Sequence, residues 1–325
     1  MRRPGPISLA PPSWLRPVRR ALALCVAGAI LLVACGSYAR AADAATTSGD
    51  SGTTIQVVAT INAWGSIASQ IGGRHAHVVS IITNPNTDPH VYEPTAADAK
   101  TVAGAQMVIE NGIGYDPWMP KLLAADTNQP TVLNVGTLVG VAGGGNPHRW
   151  YNPTDVQTVI NQIVADYQKL DPADRAYFAQ QRTTFNNVAL KQYNATLATI
   201  KAKYGGTPVG ASESIFSMLA PALGVNLITP YSFLKAISEG TDVSAADKQT
   251  IDNQITHHLI KVYVYNSQNV TPDVQAQLSQ VKAEHIPYAT ITETLAPPRS
   301  TYQAWQTRQL LGIEAALATA AKGSS

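Results

Sequence analysis

The chain has 325 residues, enough for two domains with ordinary cores, and 45% of them are apolar against 14% charged. That balance excludes intrinsic disorder and a nucleic-acid-binding surface. The formal net charge is +2, but Arg2, Arg3, Arg16, Arg19 and Arg20 all fall in residues 1–34; without those five charges +2 becomes −3, so no basic partner-binding face is expected on the remainder.

The amino-terminal stretch reads as an export signal. Its arginines precede an apolar run, Ala21 to Ala34, of 14 residues. A membrane-spanning helix needs roughly 20. The run ends in Leu32-Val33-Ala34-Cys35-Gly36, which resembles a bacterial lipoprotein signal. That resemblance implies removal of residues 1–34, acylation of Cys35, and an extracytoplasmic protein anchored to the outer face of the cytoplasmic membrane. Cys25, the other cysteine, lies in the removed part, so no thiol is left for a disulfide or a zinc–thiolate site. Residues 35–52 are small and polar and read as a flexible tether.

From residue 53 the pattern alternates between strand and helix. Strands are expected at 55–60, 78–82, 107–109 and 131–135, and helices at 63–71, after Thr95, and from Asn152-Pro153 onward. A second series follows residue 205. Its strands are expected at 208–211, 225–228, 262–265 and 288–291, and its helices at 215–223, 244–259, 273–284 and 302–321. Such alternation implies parallel sheets covered by helices. The expected fold is α/β with two lobes, 53–170 and 205–325. Residues 171–204 join them. Asp171 fits an N-cap, Pro172 the first helical position, and Gly205-Gly206 the stop. Tyr177, Phe178, Phe185, Val188, Tyr193, Leu197, Ile200 and Tyr204 fall on one stripe of a single helix, roughly 50 Å long at 1.5 Å per residue.

Two turns stand out. One, NPNTDPHVYEPT (84–95), presents His90; the other, NPHRWYNP (146–153), presents His148. Each histidine follows a proline and precedes an aromatic residue and a second proline, which restrict the backbone and aim the ring before any partner arrives. Glu213 follows strand 208–211 and Glu293 follows strand 288–291. All four residues lie beyond the carboxyl ends of expected parallel strands, the edge where open α/β sheets bind ligands. Two imidazoles and two carboxylates meeting in a crevice make a divalent-metal site. Four donors close a tetrahedral zinc shell, and a bidentate carboxylate raises the count toward what manganese prefers.

With these residues in view, the chain resembles the solute-binding proteins of zinc/manganese ABC transporters, in the class with a rigid inter-lobe helix. The resemblance spans about residues 54–321. Asp88 to Pro94 matches the family's D-P-H-x-Y-E-P turn, so His90 inherits the first ligand role. Asn146 to Pro153 matches its N/D-P-H-x-W-x-x-P turn, so His148 inherits the second. Ser212-Glu213-Ser214-Ile215-Phe216 fits the third segment and supplies Glu213. The fourth ligand of the family is usually Asp, and Glu293, one methylene longer, stands in its place. The resemblance implies a monomeric protein that is not an enzyme. It captures Zn²⁺ or Mn²⁺ and delivers it to the permease of the same transporter. Two other functions fit the residues. One is a zinc hydrolase using His90, His148 and one glutamate, although no HExxH helix or GxSxG elbow is present. The other is a metal-binding surface adhesin.

The remaining polar residues read as structural. His75 and His77 are expected at an exposed strand start, and His257-His258 point to different sides of a helix. His285 stabilises a helix terminus. Gly143-Gly144-Gly145 lacks a phosphate-loop signature and reads as freedom for the His148 loop. Trp64, Trp118, Trp150 and Trp305 read as packing residues, with Trp150 beside the cleft.

Overall fold

A computed structural model describes residues 54–85, 87 and 92–323. The segments expected to be the signal (1–34) and the tether with Cys35 (35–52), and His90, lie outside the described residues. Two runs of β-branched and apolar residues set the first sheet: β1 (Ile55–Ile61) and β2 (Ala76–Ile82), joined by β3 (Met107–Glu110) and β4 (Thr131–Asn134) in the parallel order β2-β1-β3-β4. The second sheet repeats that order with β5 (Pro208–Ala211), β6 (Asn226–Leu227), β7 (Val262–Asn266) and β8 (Tyr288–Ile291), arranged β6-β5-β7-β8 and again parallel. Central strands β1, β3 and β7 are buried almost throughout, as strands covered on both faces must be. In each sheet the strand order reverses between two central strands, β1/β3 and β5/β7. The crevice at such a reversal opens at the carboxyl ends.

Helices cover both sheets. The first lobe carries α1 (Asn62–Gly72), α2 (Ala96–Ala103), α3 (Met119–Ala125), α4 (Val135–Leu138) and α5 (Pro153–Leu170). Thr95 and Asp98 form a reciprocal capping box at the start of α2, and Asn152 caps α5 by accepting from the amides of Thr154 and Asp155 at 2.9 and 3.3 Å. The connecting segment holds α6 (Arg175–Thr184) and α7 (Lys191–Tyr204), and the second lobe α8 (Ser214–Leu223), α9 (Tyr231–Ser238), α10 (Ala245–Thr256), α11 (Pro272–Ala283) and α12 (Tyr302–Gly323). Short helices α3, α4 and α9 have no counterpart in the sequence expectations, because elements of four to eight residues barely complete two turns of any periodic pattern.

The connection between the sheets differs from one uninterrupted helix. Pro172–Asp174 forms a 3₁₀ turn, α6 starts at Arg175, and Phe185–Ala189 forms a π-turn that ends at Leu190 with ψ −1°. A π-turn inserts an extra residue and so rotates the stripe beyond it. Phe178, Phe185, Tyr193 and Ile200 stay buried, but Val188 is 69% exposed. The helix stops at Gly205, and Gly206 takes φ +80°, in line with the paired glycines.

The last helix ties the two sheets together a second time. At its start, the Tyr302 amide donates to Ser66 Oγ at 2.9 Å and its hydroxyl to the Trp150 carbonyl at 2.8 Å. Gln303 pairs with Gln70 on α1. Among the described residues no helix is long and apolar enough to cross a membrane.

The π-turn makes a sharp distinction along one predicted stripe. Phe185→Ala is expected to cost about 3–5 kcal/mol, as for a buried aromatic, while Val188→Ala stays within about 0.5 kcal/mol. Urea unfolding of the two variants measures both.

Candidate metal centre

Three of the four residues named from the sequence converge. His148, Glu213 and Glu293 each bring one donor atom to within 4.8 Å of the others, and His148 Nε2 stands 3.6 Å from Glu293 Oε1. His148 comes from the first lobe and the two glutamates from the second. His90 lies outside the described residues, so its position relative to them is not part of this geometry.

Each donor is delivered by a loop beyond a strand end and held by a specific network. His148 is fully buried in the loop before α5. Asn146 Nδ2 donates to the Ser214 carbonyl at 2.7 Å and to Ser217 Oγ at 3.1 Å, which leaves Asn146 Oδ1 as the acceptor facing His148 Nδ1 at 2.9 Å. This network assigns the proton to Nδ1 and the lone pair to Nε2, the nitrogen that faces Glu293. The loop is anchored from behind: Asn111, just after β3, donates to the Pro147 carbonyl at 2.9 Å and accepts from Trp64 Nε1 at 3.0 Å. Trp150 packs its ring 5.3 Å from that of His148 and donates to the Glu293 carbonyl at 3.0 Å, so it does wall the cleft. The triple glycine is not simply slack. A Cβ on Gly145 would sit 2.6 Å from Val141 Cγ1, and Gly144 takes φ +83°.

Glu213 occupies the N-cap position of α8 but makes no capping hydrogen bond; its side chain turns into the cleft. Asn266, the last residue of β7, donates to Glu213 Oε2 at 2.7 Å, and Ser238 Oγ on α9 donates to Oε1 at 3.1 Å. Glu293 is oriented by Tyr115, whose hydroxyl donates to Oε1 at 2.8 Å, while Gln268 Oε1 accepts from the Glu293 and Thr294 amides at 2.8 and 2.9 Å. Burial, and next the neighbouring Glu293 charge, push the Glu213 carboxyl up to about 7, against the pull of His148 and of its two hydrogen bonds. Two carboxylates and an imidazole held in a dry crevice form a concentrated set of O and N donors for a cation.

Sequence reasoning singled out the three side chains that cluster here but not most of their supports. Asn146 lies inside the NPH turn and Asn266 at a strand end, so both carried a positional signal. Tyr115, Ser238 and Gln268 lie in loops or in a short helix and had none.

This fold and site define a two-lobed α/β protein in which His148, Glu213 and Glu293 cluster in the inter-lobe crevice. Residues 57–316 match the family described as zinc-uptake complex component A, periplasmic, and the chain belongs to that family. It is 25% identical over 220 residues to the iron-binding protein YfeA of Yersinia pestis, covering 64% of this chain and 66% of that one. It is also 25% identical over 154 residues to the manganese-binding lipoprotein MntA of Halalkalibacterium halodurans, covering 46% and 50%. The chain thus spans between half and two thirds of the length of these curated relatives. The fold is similar to that of a Mn-bound point mutant of a periplasmic metal binding protein from candidatus Liberibacter asiaticus, with a TM-score of 0.68 at 18% identity over 81% of this chain and 98% of that one.

The raised Glu213 carboxyl has a signed consequence for stability. A carboxyl whose folded value lies above its unfolded value near 4.5 holds a proton in the native state that the unfolded chain releases. Metal-free protein therefore loses this contribution as pH rises from about 4.5 through about 7. Glu213→Gln is expected to raise the metal-free melting temperature by several degrees at pH 8 and to change it little at pH 4.5, read by calorimetry at both pH values.

Proposed function

We propose that this chain is the solute-binding component of a metal ABC importer, which captures Zn²⁺ or Mn²⁺ between its lobes and delivers it to the membrane permease. The convergence of His148 with Glu213 and Glu293, contributed from both sides of the crevice, carries this reading. In it, those three side chains are ligands, and His90, in its proline-bounded turn, is the fourth. The two sheets are lobes, and the segment 171–204 is the strut between them. Cys35 carries the lipid that holds the protein at the outer face of the cytoplasmic membrane, and the chain works as a monomer. The names of MntA and YfeA and the Mn-bound neighbour support a divalent transition metal as cargo. The donor chemistry supports it too, being all imidazole and carboxylate, which suits zinc and manganese and not a thiolate-seeking ion.

A carrier fits better than the zinc hydrolase. Catalysis by a zinc centre needs an exchangeable position and a carboxylate set apart as a base. Here Glu213 and Glu293 both face the same imidazole. We expect no turnover of peptide, ester or phosphoester substrates by the zinc-loaded protein.

Calorimetric titration with Zn²⁺ and Mn²⁺ tests the site. His148→Ala and Glu293→Ala are expected to weaken binding by more than about 100-fold. Asn146→Ala, which removes the support of the ring and the link to Ser214 but no ligand, should weaken it by about 10–100-fold. The cation must displace the Glu213 proton, so affinity falls as pH drops below about 7, approaching about tenfold per unit. Unchanged affinity in His148→Ala overturns the assignment.

The lobes are joined by the 171–204 segment and again by the Tyr302 contacts, so wide hinge closure is opposed and release works through the loops around the site. Small-angle scattering of metal-free and metal-loaded protein is expected to give radii of gyration that agree closely.

A further inference from the structure

A second cluster of metal-donor side chains lies away from the crevice. His75 ends the 3₁₀ turn between α1 and β2, and its ring is buried rather than exposed as a strand-start histidine would be. His77, two residues on, is exposed. His75 Nδ1 stands 3.0 Å from Asp174 Oδ2 and 3.9 Å from Asp171 Oδ2. All three donor atoms lie within 4.8 Å of one another. Asp171 precedes the 3₁₀ turn Pro172–Asp174 and Asp174 ends it, and at three residues per turn positions 171 and 174 are eclipsed on one side. Asp171 Oδ2 is buried with no hydrogen-bond partner, and its side chain is only 11% exposed. A carboxylate oxygen shut away from water without a donor is costly unless a cation offsets it. The ring of His75 is fixed by Tyr177 and Phe178, with centroids 4.3 and 5.9 Å away.

We propose that His75, Asp171 and Asp174 form a second divalent-cation site, specific for a borderline transition ion such as Zn²⁺, which clamps the start of β2 to the turn that opens the inter-lobe connection. Donors about 2.1 Å from a shared zinc stand roughly 3.4 Å apart in a tetrahedral shell, close to the separations seen here. One imidazole and two carboxylates leave further positions for water, so this site binds more weakly than a four-donor centre. The inference stands independently of the crevice, since no residue is shared.

The test is a calorimetric titration of the chelator-stripped full chain in detergent with Zn²⁺ alone. Two equivalents are expected. Asp174→Asn, which keeps the shape of the side chain, should weaken one of them at least tenfold and leave the other intact, while His148→Ala removes that other one. Retained crevice binding in Asp174→Asn also reports that the variant is folded. A single equivalent in the unaltered chain overturns the proposal, as does a second equivalent untouched by both Asp171→Asn and Asp174→Asn; His75 and the aspartates are then an ion-paired staple only. Anomalous scattering at the zinc edge from zinc-soaked crystals gives the direct readout. A peak beside His75 Nδ1 supports the site, and no density there overturns it.

Discussion

The organising constraint is the burial of two acids against one imidazole where the two sheets face each other. Glu213 is 2% exposed and Glu293 9%, and together they concentrate negative charge in a place water hardly reaches. Burying two neighbouring carboxylates is costly unless a proton or a cation offsets their charge. The rest of the molecule is arranged to make that tolerable. Parallel strands bring the acids to their carboxyl ends, amide and hydroxyl groups of Asn266, Ser238 and Tyr115 absorb part of the charge, and a buried aromatic wall of Trp64, Trp150 and Tyr115 keeps the backbone behind the site from yielding.

Both sheets use the same strand order, so the crevice is built from two equivalent edges. Each lobe places its own reversal point toward the site: Asn111 follows the strand beside the reversal in one lobe, and Asn266 ends the matching strand in the other. In each case an asparagine at the strand end reaches out to hold a donor, by the Pro147 carbonyl on one side and by the Glu213 carboxylate on the other. A side-chain amide serves here because it can donate and accept at once, so one residue satisfies buried neighbours on two sides.

The strands and long helices were legible in the sequence because parallel strands buried on both faces leave unbroken β-branched runs, and because Thr95, Asn152 and Pro153 are unambiguous helix starts. Glu213 and Glu293 were legible through their place just after strands, and His148 through its proline-bounded turn. What escaped was set by tertiary context. The π-turn at Phe185–Ala189 has no sequence signature, so Val188 reads as part of the buried stripe until the turn is seen. His75 reads as the start of an exposed strand, yet the turn at 172–174 folds over it. The supports of the site come from loops far apart in the chain, which no local period can announce.

Asn146 spans the divide in an unusual way. Its amide nitrogen grips the Ser214 backbone in the second lobe, while its oxygen steadies the His148 ring in the first. Parting the lobes slightly at this point would break the grip on Ser214 and let the amide turn over. The imidazole would then lose its tautomeric bias and be able to swivel. The cluster would thus lose its arrangement through ring orientation, well before the three side chains themselves had drawn apart.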